Sequence, residues 1–267
     1  MTEASTTPLD LSGKSVIITG GTKNIGLGIT QAFLATGASV VICARSAPEE
    51  PIRVGDNEAH FVATDVREAE QCEALVAEAV RRNGRLDILV NNAGGGPPFD
   101  STTASTRLAE KIIALNLTSA YFMSVMANRV MREQEDGGLI LNVGSMASRE
   151  PLPGTAAYAA AKAGISAMTK AMAFEYGPKV RVNEVVVGLV NTDLSEMHYG
   201  GAEALRKISS TIAAKRMVTP VDIANSLLMF CAPSGAHFTG AAIECNGGGT
   251  LPAWLVAAAP KVPVYDK

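Results

Sequence analysis

The chain has 267 residues, of which 47% are apolar and 18% charged, with a formal net charge of -3. That composition suits one large buried core and excludes a disordered chain. The 23 Lys and Arg form no run of five or six, which argues against a nucleic-acid partner, and no window nears eighteen consecutive apolar residues, which argues against a membrane span.

Residues 1–10 are Thr-rich and carry no Lys or Arg ahead of an apolar stretch. They read as a flexible arm, not a secretory signal. A β-branched run, Ser15 to Thr19, leads through a Gly-rich turn into a segment with Ile25, Ile29 and Phe33 on one helical face, ending at Gly37. Further strands are predicted at Ser39 to Cys43, His60 to Ala63, Leu86 to Asn91, Gly138 to Val143, Val180 to Val187 and Ala241 to Cys245, with helices between most of them. This alternation predicts a single-domain, doubly wound α/β fold of the Rossmann type over residues 11–250, with about seven parallel strands and helices on both faces. Only Arg45 to Ala59 separates the second and third strands, and Pro48, Pro51 and Gly55 leave no room for a crossover helix, so a loop or single turn is expected. Residues 251–267 read as a tail.

The predicted helix Ala156 to Tyr176 is apolar almost all round, as a helix covered on both sides would be. The sheet covers one side, and a second subunit is the simplest cover for the other, so a homo-oligomer, dimer or tetramer, is expected. Cys43, Cys72, Cys231 and Cys245 form no CxxC pair and lie in apolar segments, which favours buried thiols over disulfides or a metal site, and with them a reducing, cytoplasmic location.

Three constellations bear on chemistry. TGGTKNIGLG, Thr19 to Gly28, joins a strand to a helix, where glycines let backbone amides approach a pyrophosphate and the helix N-terminus offers unpaired N–H groups. Alone, such a junction is equally a tight turn. Tyr158 and Lys162 lie four apart on a helix, roughly 5–6 Å between Cβ atoms, so an ammonium can favour phenolate and bring the phenol toward use as a general acid or base. A bare pair of this kind is also common on surfaces. Ser145 ends the strand LILNVGS at the carboxyl edge of the sheet, where open α/β folds bind ligands, although a serine there can simply cap a turn.

In order along the chain, TGGTKNIG, ATDV (Ala63 to Val66), NNAG (Asn91 to Gly94), Asn116 in ALNL, NVGS, YAAAK (Tyr158 to Lys162), VRVN (Val180 to Asn183) and FTG before NGGG resemble the short-chain dehydrogenase/reductase family from Leu11 to Gly249. The resemblance implies that Tyr158 exchanges a proton with the substrate oxygen. It also implies that Lys162 lowers the Tyr158 pKa and binds the nicotinamide ribose, that Ser145 orients the carbonyl, and that Asn116 holds a water linking Lys162 to solvent. It further implies cofactor contacts from Gly20, Thr22, Lys23, Asn24 and Ile25 in the turn, from Arg45, and from Asp65 and Val66 near the adenine. Asn91, Asn92, Ala93 and Gly94 would line the floor, with Val190 and Thr192 on the carboxamide and phosphate side. Three positions depart from the family pattern: Asn24 stands for the middle glycine of the turn, Val187 for a proline before Gly188, and Asn246 for an aspartate. Asn tolerates a left-handed conformation, so the turn is expected to survive.

The strand VVICARS ends in Ala44 and Arg45 where NAD-binding folds place a carboxylate, and Lys23 adds a second cation, so the expected cofactor is NADP(H). Glu49 and Glu50 follow Pro48 and read as solvated loop charges. The expected reaction is hydride transfer between NADP(H) and a small-molecule carbonyl or secondary alcohol, an apolar ketone or 3-oxoacyl type, under a lid of about residues 191–212 that contains Leu194, Met197, His198 and Tyr199. Two other readings stay open: an NADP-retaining epimerase or dehydratase, and a non-catalytic NADP-binding sensor.

Overall fold

A computed structural model of the chain describes residues 9–193 and 195–252. Most of the expected arm and tail, residues 1–8 and 253–267, and Leu194 of the expected lid lie outside the described residues.

The first strand, β1 (Ser15–Thr19), is buried along its whole length and turns into α1 (Asn24–Ala35). β2 (Ser39–Ala44) follows, and the chain then makes a small hairpin, β3 (Arg53–Val54) with β4 (Asn57–Glu58), before β5 (His60–Ala63). This corrects the loop or single turn expected between Arg45 and Ala59. The hairpin closes around Gly55, at φ +58°, and an Arg53–Glu58 ion pair. The chain continues through α2 (Ala69–Asn83), β6 (Ile88–Asn91), α3 (Thr106–Ile113), a π-helical turn over Ala114–Thr118 and α4 (Ser119–Met131). It ends in β7 (Gly138–Val143), α5 (Ala156–Tyr176), β8 (Val180–Val187), α6 (Ser195–Tyr199), α7 (Gly201–Thr211), α8 (Pro220–Cys231) and β9 (Ala242–Cys245).

The seven-stranded sheet has the order β5-β2-β1-β6-β7-β8-β9, and its pairings are all parallel. The order reverses between β1 and β6, so β1 and β6 flank the crevice where doubly wound sheets take their ligands. Strand residues alternate between two cores. Ile18, Val90, Leu141 and Val185 meet Phe33 of α1 and Leu227 of α8 on one face; Ile17, Leu89, Ile140 and Val182 meet Leu75 of α2, Met123 of α4 and Met172 of α5 on the other. Each such side chain, removed from water, contributes roughly 2 kcal/mol. The single-domain α/β fold expected from the alternation is the fold found.

Cys43 and Cys72 are buried, but Cys231 and Cys245 are only half-buried, which corrects the expectation that all four are sequestered. All four are free thiols.

Candidate active site

β1 delivers the chain into the Gly-rich turn at the crevice. Gly20 sits at φ +65° and donates its N–H to Cys43 O at 2.8 Å, and Asn24 adopts φ 48°, the left-handed conformation expected of it. A Cβ at Gly26 would lie 2.0 Å from Gly20 O, so only glycine lets the helix start fold back so tightly on the turn. Lys23 stands at the N-cap of α1 without a side-chain cap bond, and the first turn holds no acidic residue. No side chain therefore caps the first amides of α1, and a lysine stands beside them. Thr22 is buried and Ile25 is half-buried against the core.

The neighbouring strand end is tied to this turn. Asn92 Nδ2 donates to Thr19 O at 2.9 Å and to Gly20 O at 3.2 Å, while the amides of Asn92 and Ala93 both donate to Thr19 Oγ1 at 3.0 Å. Thr19 was not singled out from the sequence, where it reads only as a strand terminus. Asp65 follows β5 and is gripped by Arg67, whose guanidinium holds its carboxyl below the usual range. Val66 is buried behind it, and Arg45 projects from the end of β2 as an exposed cation close enough to act on Asp65.

At the carboxyl edge of β7, Ser145 Oγ accepts the amide of Ala147 at 3.2 Å and lies near enough to the Tyr158 hydroxyl to lower its pKa. α5 spans the residues its pattern predicts and brings Tyr158 and Lys162 to the same edge. Lys162 is 5% exposed; its Nζ donates to Val143 O at 2.8 Å and lies 5.8 Å from the centre of the Tyr158 ring. Burial draws the Lys162 pKa down to about 8, opposed by the charge of Glu184. The Tyr158 pKa is raised, first by burial and then by Tyr199 nearby, against the lowering effect of the Ser145 hydroxyl. This corrects the expectation that the lysine favours phenolate: in this geometry the ammonium is turned to a backbone carbonyl, and desolvation of the phenol prevails.

Asn116 lies in the π-helical turn and is buried. Its side chain accepts the Gly95 amide at 2.7 Å and donates to Gly95 O at 2.8 Å and Ile112 O at 2.9 Å. The side chain thus pins the loop after β6. A Cβ at Gly94 would lie 2.8 Å from Asn116 Oδ1 and 3.4 Å from Lys162 Nζ, so the three residues converge. Across the crevice, Val190 bridges Val218, and the Thr192 amide donates to Ser195 Oγ at 2.7 Å, which begins α6 of the expected lid. Asn246 donates to Glu244 at 2.8 Å and accepts the Gly248 amide at 2.9 Å, ordering the Gly-rich loop after β9.

This site has recognisable relatives. The family model described as enoyl-(acyl carrier protein) reductase matches residues 20–250. The 7alpha-hydroxysteroid dehydrogenase of Escherichia coli K12 is 34% identical over 250 residues, covering 90% of this chain and 96% of that protein. An uncharacterised oxidoreductase of Mycobacterium tuberculosis is 34% identical over 247 residues, covering 91% and 94%. The chain is a short-chain dehydrogenase/reductase. Among solved structures, the short-chain dehydrogenase/reductase of Serratia marcescens superposes with a TM-score of 0.81 at 28% identity, covering 91% of this chain and 99% of that one.

Short-chain dehydrogenases/reductases are oxidoreductases of alcohols and carbonyls that use a nicotinamide cofactor, and the residues present fit one. An uncapped helix start with no acid in its first turn suits a pyrophosphate, and the glycine at position 94 leaves open a surface that a Cβ would fill, against Asn116 and Lys162. Among the described residues, no helix is long and apolar enough to cross a membrane.

Proposed function

We propose that this short-chain dehydrogenase/reductase transfers a hydride between NADP(H) and an apolar ketone or secondary alcohol, with Tyr158 as general acid and base. The observation that carries the reading is the convergence of Ser145, Tyr158 and Lys162 on one edge of the sheet, with Ser145 near enough to act on the Tyr158 hydroxyl. When bound, the cofactor supplies or accepts the hydride. Ser145 and Tyr158 together hold the substrate oxygen. Tyr158 delivers its proton as negative charge builds there, and its raised pKa keeps that proton in place at neutral pH. Lys162, held at Val143 O beside Gly94, is the cation that would meet the ribose. Asn116 fixes the loop that borders the lysine.

The choice of NADP(H) is supported by Arg45 and Lys23, both exposed at the crevice, with Ala44 where an acid would repel a 2′-phosphate. Glu49 and Glu50 are exposed. An apolar substrate is supported by Pro98, Phe99 and Pro153, which line an open groove together with Asp100, Ser101 and Gly154. It is also supported by the relatives named hydroxysteroid dehydrogenases in Escherichia coli and Eggerthella lenta. A cytoplasmic location suits the four free thiols, and a dimer or tetramer suits the exposed aromatics on α4 and α5.

An NADPH-oxidation screen against ketones and acyl thioesters tests the proposal. Turnover with at least one apolar carbonyl is expected. Tightly co-purified NADP with no net oxidation of NADPH would instead favour an epimerase or dehydratase.

A further inference from the structure

Glu184 of β8 is 0% exposed, and nothing in the chemistry above uses it. Its neighbours Val185 and Val187 face the core of α1 and α8, whereas Val180 and Val182 face α5, so the alternation of the strand puts Glu184 on the α5 side. There it stands in register with Asn142 of β7, which is in register with Asn91 of β6. Asn91 Nδ2 donates to Asn142 Oδ1 at 2.9 Å, and Asn142 Nδ2 donates to Thr169 Oγ1 at 2.8 Å, so the first two members of this buried polar row are bonded to each other and to α5.

Glu184 is provided for less completely. Oε1 accepts from Ser166 Oγ at 2.9 Å, while Oε2 has no hydrogen-bond partner among the described residues. A carboxylate in such a place costs stability that an apolar residue would not, and sites that accept this cost are commonly functional. Its surroundings are those of the candidate active site. Ser166 lies one helical turn after Lys162 on α5. A Cβ at Gly144, the residue before Ser145, would lie 2.0 Å from Glu184 Oε1, so the loop that presents Ser145 is seated directly on the carboxylate.

We propose that Glu184 is a positioning residue that acts through Lys162, its buried negative charge keeping the lysine an ammonium within the closed site. This rests on the reading of Tyr158 and Lys162 given above. The coupling is mutual: Glu184 favours the charged lysine, and Lys162 favours the carboxylate, against burial that works on both. The other charged groups facing Glu184 are Arg149, from the turn after β7, and Lys170 of α5; Arg149 is itself paired with Glu244 of β9. β7 offers only Asn142, and α8 packs on the opposite face of the sheet.

Lys162 carries its charge below its pKa and loses it as pH rises through about 8. Removing the negative charge at 184 lowers that pKa, so the alkaline limb should move to lower pH by about 1 unit. The test compares wild type, Glu184→Gln, Glu184→Met and Glu184→Asp, with folding checked by circular dichroism. NADPH binding is read by fluorescence and kcat for carbonyl reduction is followed across pH. The neutral variants should both shift the binding and kcat limbs downward while approaching wild type at pH about 6, and Glu184→Asp should restore the limb. Glu184→Met removes the charge without leaving a buried amide, so it keeps the test open if the glutamine variant folds poorly. Unchanged limbs in the folded neutral variants would overturn the proposal and leave Glu184 a structural acceptor for Ser166. If wild type binds NADPH but reduces no carbonyl, the reductase reading falls while the binding limb still decides the role of Glu184. If wild type binds no nicotinamide cofactor, both fall.

Discussion

Lys162 Nζ stands 5.8 Å from the centre of the Tyr158 ring and is tied at 2.8 Å to Val143 O, the last residue of the strand that leads to Ser145. One buried cation therefore touches both elements that carry the expected proton donor and its partner. Its burial has a thermodynamic consequence. The pKa falls from 10.5 to about 8, so folding bears a penalty that is fully present below pH 8. Between pH 8 and 10.5 the unfolded chain holds the extra proton, and stability rises with pH. Lys162→Met should raise stability at pH 7 by on the order of 2 kcal/mol, and Tm with it, after the lost hydrogen bond to Val143 O is set against the relieved desolvation. The gain should vanish above the ordinary lysine pKa. Thermal melts across pH check this, and a variant less stable than wild type at pH 7 contradicts it.

Arg45 and Lys23 set an expectation for cofactor choice. Fluorescence titration should show NADPH bound more tightly than NADH, and Arg45→Asp should reverse the order. Equal affinity in wild type would remove the basis for NADP(H).

Phe174 on α5 is 92% exposed and Tyr121 on α4 is 51% exposed, an apolar surface of the kind that subunits cover. Sedimentation should give a mass well above the 27.7 kDa chain, and Phe174→Glu should lower it. A monomer at micromolar concentration contradicts this reading of α5.

The start of α8 gives a prediction independent of catalysis. Thr219 and Asp222 form a capping box behind Pro220, and Arg216 bonds Asp222 at 2.8 Å. These bonds, that of Arg216 foremost, hold the Asp222 carboxyl far below the usual range. The contribution is present above pH ~4 and is lost as pH falls below it. Because Leu227 and Phe230 of this helix enter the core, Thr219→Ala should cost about 1 kcal/mol in chemical denaturation. An unchanged midpoint would show that the cap is dispensable.

Much of this architecture was legible from periodicity. α5 begins and ends where its pattern predicts, and the strands lie within a residue or two of their apolar runs, because burial on both faces leaves few other ways to place Val, Ile and Leu. The hairpin of β3 and β4 was not legible, since each strand has two residues and neither shows an apolar alternation; the Gly55-Asp56 pair was the available signal. The candidate site was read through its motifs, but contacts set by tertiary register were not. Glu184 looks like one charge in VRVNEVVV until its pairing with Asn142 sets it beneath Ser145. The commitment of the Asn116 side chain to Gly95 depends on the π-helical turn, which its residues do not announce.

Tyr158→Phe measured beside wild type, with NADPH and one carbonyl substrate found by screening, tests the central assignment most directly. The variant should keep its fold and its affinity for NADPH and lose about 10²–10⁴-fold in kcat, because only the proton donor has gone. Near-full carbonyl reduction by Tyr158→Phe, with fold and cofactor binding unchanged, would contradict the assignment of Tyr158 as the proton donor.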